Sequence, residues 1–289
     1  MARRSNRGRR ISHFVGALTG ALTIAASTLP AQSSVVLRIR PRVGDTLYTR
    51  LDQLVEMTAS TKLGASDTSM QVRTTMLLLS RILVQGSDDE GTTVTAVTDS
   101  VAISATGSRA SVPPDSYRRQ LQGQRVKMRI TPQGSASLVA SEAGLNPDLQ
   151  AVISQIPATL PDRAIAVGET WQQSMVIPLG GATRSATSGA ILHATYKLDS
   201  LSPNGSVAFI SMKGTLSQDG PKVDRARGVR LTSSGNIQGM MLVDRRRGWW
   251  TDTRATITVN SLYTPVTGRG PSTRVLTRIT QHMRTTSNR

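Results

Sequence analysis

Residues 47–57 read Leu-Tyr-Thr-Arg-Leu-Asp-Gln-Leu-Val-Glu-Met. Leu47, Thr49, Leu51, Gln53, Val55 and Met57 take the odd positions, while Arg50, Asp52 and Glu56 take even ones. Successive side chains of an extended chain point to opposite sides, so this period of two predicts a strand with one buried and one wet face. The same reading applies further on. Leu192, Ala194, Tyr196 and Leu198 alternate with His193, Thr195 and Lys197, and Ala255, Ile257 and Val259 alternate with Arg254, Thr256, Thr258 and Asn260. In the last run, 273–286, Val275, Ile279 and Met283 oppose Arg274, Arg278 and His282. Threonine is frequent in these runs and suits a pleated, half-buried surface.

The order of elements repeats. Val43-Gly44-Asp45-Thr46-Leu47 returns as Val167-Gly168-Glu169-Thr170-Trp171, each opening a strand-like run. Runs at 70–85 and 92–104, separated by a turn at 86–91, correspond to runs at 190–201 and 206–216 around Ser202-Pro203-Asn204-Gly205. Asn-Gly accepts positive φ at little steric cost and marks that turn strongly. A further hairpin follows in each half, turning at 131–134 and at 244–248. Between the halves, Leu149, Val152, Ile153 and Ile156 stand at helical spacing after Asn146, and Pro157 ends the pattern. Stretches 107–116, 180–189 and 264–272 read as loops. The expected fold is all-β with one or two short helices, a curved antiparallel sheet forming a half-barrel or barrel from two related halves. Repeat one spans about 35–140, the linker about 141–166 and repeat two about 167–289.

Composition narrows the chemistry. Among 289 residues there is no cysteine, which removes disulfides, thiolate catalysis, cysteine zinc sites and a lipidated cysteine. Residues 1–31 form a basic head, an apolar middle and a small-residue exit, the layout of a secretory signal peptide with cleavage after Ala31. The apolar run from Phe14 is shorter than the about 20 residues of a spanning helix, and no later run reaches that length. A periplasmic or extracellular protein without a membrane span after cleavage is expected.

The chain resembles an uncharacterised family of bacterial exported all-β proteins known only as a domain of unknown function. Its members open strands with a Val-Gly-Asp/Glu-Thr-aromatic phrase and place a Pro-containing link before the second, as at 160–171 here. Several relatives are lipoproteins, a feature this cysteine-free chain lacks. The resemblance implies no established activity. In fold alone, a duplicated curved sheet with a covering helix is similar to periplasmic carriers of lipoproteins and lipids.

Residue by residue, catalytic signals are absent from the sequence: no Gly-Xaa-Ser-Xaa-Gly elbow, His-Glu-Xaa-Xaa-His pair or phosphate-cradling loop. His193 and His282 fall on polar strand faces. Asp88-Asp89-Glu90 lacks the ligand spacing of a calcium loop and reads as a wet hairpin tip. Asp45 and Glu169, each after a Gly turn, read as carboxylates that cap local amides. No cofactor or metal is expected, nor an enzymatic activity. The net charge of +17, which falls by the five leader arginines to 17 minus 5, or +12, after cleavage, and the run Arg245-Arg246-Arg247 offer a contact for anionic envelope polymers. Aromatic residues make up only 3%, too few for the stacking that specific nucleic-acid binding uses. Trp249-Trp250, with Trp171 from the other half, are candidate walls for an apolar or amphipathic ligand such as a lipid in the hollow of the sheet. The alternative is an interaction domain that contacts anionic polymers or a protein partner and holds no small molecule.

Overall fold

The computed structural model describes residues 34–63, 66–107, 118–119, 121–141, 158–178, 189–218, 220–224 and 228–287. The leader, the helix expected at 147–156 and most of the loops expected at 107–116 and 180–189 lie outside the described residues. What is described is nearly all strand. A first meander runs through β1 (Thr46–Leu63), β2 (Ser66–Ser87), β3 (Thr92–Gly107), β4 (Arg125–Ile130) and β5 (Ala136–Ser141). A second runs through β6 (Thr170–Pro178), β7 (Gly189–Leu201), β8 (Val207–Ser217), the short β9 (Lys222–Asp224), β10 (Val229–Asp244) and β11 (Trp249–Pro265). The final strand, β12 (Thr273–Ser287), inserts between β11 and β1 and joins the two meanders.

The result is one curved, twelve-stranded antiparallel sheet in the order β5-β4-β3-β2-β1-β12-β11-β10-β8-β7-β6, with β9 beside β10. It is not closed: β5 and β6 are its two edges. The half-barrel expected from the alternation is therefore the observed architecture. Strand ends differ in detail. The β1–β2 hairpin runs past the apolar pattern, with Thr58–Thr61 pairing Thr68–Gln71, because backbone pairing and the fit of Thr to a pleated surface continue where apolar residues stop.

The two Val-Gly-acid-Thr phrases build the same turn. Gly44 and Gly168 both have φ of 89°, a left-handed value that favours glycine. Gly44 N–H donates to Val84 O and Gly168 N–H to Leu198 O. Val84 N–H in turn donates to Asp45 O, as Leu198 N–H does to Glu169 O. Leu47 and Trp171, last in each phrase, are both buried.

The core occupies the end of the sheet where these turns lie. It contains Leu47, Val84, Val94 and Ile130 from the first meander and Leu192, Tyr196, Leu198, Ile210, Met241 and Val243 from the second. Segment 34–41 crosses this end as an arm. Val35, Leu37, Ile39 and Pro41 are buried while Val36, Arg38 and Arg40 face outward. Val35 pairs with Ile165, Ile39 N–H donates to Pro132 O, and Arg40 N–H donates to Gly248 O. Thr159 and Leu160 N–H both donate to Gln133 O. Together the arm and residues 159–165 close one end of the gap between the sheet edges.

Glycines bend the second meander. A Cβ on Gly235 would lie 2.2 Å from Thr258 O, one on Gly239 2.4 Å from Arg254 O, and one on Gly214 2.6 Å from His193 O. All three lie on the buried face of β8 and β10, so the sheet curls there more tightly than any side chain permits. Gly239→Ala should cost about 1–3 kcal/mol through forced separation of β10 and β11, read as a lower urea midpoint at unchanged slope. Leu37→Ala should cost about 2–5 kcal/mol by the same measurement, because the arm side chain is fully enclosed.

Candidate functional site

Cross-strand register turns the sequence alternation into two chemically opposite surfaces. On the inner side, continuous with the core, β1 presents its odd positions from Leu47 to Thr61 and β2 its even positions from Met70 to Val84. Beside them β12 presents odd positions 273–285 and β11 odd positions 253–263. None of these positions carries Asp, Glu, Lys or Arg. The outer side carries Arg50, Asp52 and Glu56 of β1, Arg73 and Arg81 of β2, Asp252 and Arg254 of β11, and Arg274, Arg278 and Arg284 of β12. The same outer side also exposes Tyr48, Leu79, Leu83, Leu262 and Leu276.

The inner face is filled unevenly. Along β7, β8 and β10 its residues are buried, including Leu192, Tyr196, Met212 and Ile237. Along β2, β1, β12 and β11, Leu47, Thr49, Val84 and Thr285 are buried at the packed end, and the inner residues beyond them are only half-buried. One row there runs Thr74, Val55, Ile279 and Ile257 in direct register; a second places Leu51 between Leu78 and Met283. Between these rows sit Gln53 and Gln281, opposite each other across β1 and β12, with Met76 and Ala255 flanking. Neither amide has a hydrogen-bond partner among the described residues. An open, uncharged and largely aliphatic surface is what an apolar molecule needs from a protein wall.

The tryptophans singled out by sequence lie beside this face, within the packed end. Trp171 is 7% exposed, stacks on Tyr196 at 5.5 Å between ring centroids, and donates from Nε1 to Thr159 O at 3.0 Å. Burial pushes the Tyr196 hydroxyl up to about 12. Trp249 is 4% exposed and meets Trp250 edge-on at 5.2 Å. The half-buried Trp250 also packs on the core, lying over Gly134, where a Cβ would come within 2.5 Å of the indole. These rings join the sheet to the link and the β4–β5 turn.

The triplet Arg245-Arg246-Arg247 stands exposed at the β10–β11 tip. Arg245 donates to Gly205 O at 2.6 Å and Arg247 lies 3.7 Å from Asp244, whose carboxylate also accepts from the backbone of Arg246 and Arg247. At the other tip Asp88 caps Glu90 N–H and Gly91 N–H and pairs with Arg129, which together hold its carboxyl below the usual range. Glu169 accepts from Ala166 N–H and pairs with Arg163, and its carboxyl is likewise lowered. Among the described residues no group of three or more His, Asp or Glu side chains is placed to hold a metal ion.

Outer-face grooves are lined by both polar and apolar side chains. One of about 620 Å³ is lined by Gln172, Ser174, His193, Lys213, Asn236 and Gln238, and His193 Nδ1 shares a 2.9 Å hydrogen bond with Ser174 Oγ. Another of about 480 Å³ includes Asp52, Arg73, Thr75 and His282. Here the register assembles a cluster that linear spacing hides. His282 Nε2 lies 3.0 Å from Asp252 Oδ2, Arg254 contacts Asp252 at 3.2 Å, and Asp52, paired with Arg50, stands opposite His282. The only sequence signal for it is that all five residues fall on polar positions of three runs.

Desolvation pushes the Asp252 carboxyl up, yet hydrogen bonds from His282 and Arg254 outweigh it and the carboxyl sits below its ordinary value. A carboxyl lowered by folding adds stability that is full above its unfolded value near pH about 4 and is lost as pH falls through the folded value. Asp252→Asn should therefore flatten the loss of urea midpoint between pH 6 and pH 3.

A model of a family of unknown function (DUF6263) matches residues 146–250. No curated protein matches the chain. Among solved structures, the COG4313 outer membrane channel from Pseudomonas putida F1 aligns at 11% identity with a TM-score of 0.21, over 86% of this chain and 98% of that one. The outer membrane protein OprG from Pseudomonas aeruginosa aligns at 8% identity with a TM-score of 0.21, over 86% of this chain and 99% of its own.

Proposed function

We propose that this is an exported, non-catalytic β protein that holds an apolar or amphipathic ligand against the inner face of its open sheet. The observation that carries the reading is the half-buried, charge-free surface of β2, β1, β12 and β11 next to a packed end. Apolar area left on the core side of a sheet gains free energy, at about 25 cal/mol per Å², from any molecule that removes it from water. The basic outer face adds solubility and loose attraction to anionic surfaces.

The test uses protein purified from its own host, examined by native mass spectrometry with lipid extraction, and then titrated with the apolar fluorophore diphenylhexatriene. A co-purifying lipid and saturable binding of the probe are the expected results. Val55→Arg and Ile279→Arg, which put a charge into the inner face, should each weaken probe binding by at least about tenfold. Thr280→Arg, on the exposed outer face of the same strand, should leave it unchanged. A ligand-free protein that binds no probe would overturn the reading in favour of an envelope-contact domain using its basic surface.

A further inference from the structure

The ligand reading leaves a question of chemical class, and the inner face itself answers it. Resting on that reading, we infer that the ligand is an uncharged amphiphile, such as a neutral acyl ester, whose polar group is held by Gln53 and Gln281. Three observations converge. First, the inner positions of four adjacent strands hold no ionisable acid or base, apart from the Tyr263 phenol, although 18% of the chain is charged. A carboxylate or phosphate brought here would lose its water and meet no cation, a heavy penalty in an apolar setting. Secondly, the two glutamines are direct cross-strand partners at the middle of this surface, both half-buried and both without a protein hydrogen bond among the described residues.

Thirdly, their surroundings fit one polar group on a long apolar body. Leu51, Leu78 and Met283 lie on the side toward the packed end; Val55, Ile279 and Ile257 lie on the other. An amide offers both a donor and an acceptor, so a pair of them matches an ester, hydroxyl or amide and has no means of neutralising a charge. Methionines 57, 70, 76 and 283 line the same face, and their flexible thioethers adapt to chains of varied shape. The selectivity is therefore set against charge rather than for one chain length.

The experiment compares three probes on the full chain: diphenylhexatriene, a nitrobenzoxadiazole-labelled fatty acid, and the methyl ester of that labelled acid. At pH 8 the ester should bind at least about tenfold tighter than the ionised acid. The double variant Gln53→Leu/Gln281→Leu should bind diphenylhexatriene as well as or better than the parent, yet lose several-fold in ester affinity. Equal binding of acid and ester, or an unchanged ester affinity in a double variant that still binds diphenylhexatriene, would overturn the inference while leaving an apolar site in place. Failure of the parent protein to bind diphenylhexatriene would remove the site and the inference together. Gln53→Glu gives a second check in a near-isosteric change: it should weaken ester binding at pH 8 and leave the outer face untouched.

Discussion

The strict two-residue alternation of the long strands governs this molecule. Because a pleated chain sends neighbours to opposite faces, every arginine on an even position of β1 or β12 commits the adjacent odd positions to the other side. A slip of one residue in the β1–β12 ladder would carry Arg278 and Arg284 inward and Ile279 and Met283 outward. Charge thus fixes register, register fixes which face is inner, and the chemical character of that face follows.

Curvature converts the two-sided sheet into something with an inside. The glycines at 214, 235 and 239 permit the tight corner on β8 and β10, where Leu192, Tyr196 and Ile237 are buried. Away from that corner the sheet opens and the inner side chains are only partly covered. The packed end is then locked by main-chain hydrogen bonds from the arm at 34–41 and the link at 159–165, which reach parts of both meanders. Stability and vacancy are consequently segregated. One end supplies the enclosed apolar volume that holds the fold together, and the other leaves apolar area unused.

Much of this was legible in the residues. The alternation at 47–57, 192–198, 253–263 and 273–286 predicted strands whose inner and outer faces are those observed, because side-chain polarity and backbone period agree there. The paired Gly44 and Gly168 turns were legible because positive φ leaves a mark in residue type. Other features were not. Segment 34–41 alternates Val, Leu and Ile with Arg, yet it pairs through isolated bonds to distant turns, and linear pattern does not say what a strand-like arm will meet. Trp171 and Trp249 drew attention as ligand walls because large aromatics serve both pockets and cores; only the register shows Trp171 stacked on Tyr196 and bonded to Thr159, and Trp249 buried edge-on against Trp250. The Asp52, His282 and Asp252 cluster was hidden because its members come from three strands brought side by side by register.

The position of β12 has its own consequence. The centre of the sheet is a seam between the first long strand and the last one, so the pairing that unites the two meanders spans almost the whole chain. Contacts of such long sequence separation form late and slowly. Until residues 273–287 arrive, β1 and β11 are each unpaired borders with exposed main-chain donors and acceptors. A nascent or C-terminally shortened chain therefore leaves these two strand borders open to wrong partners, and a chaperone that shields bare strand borders has a defined place to act.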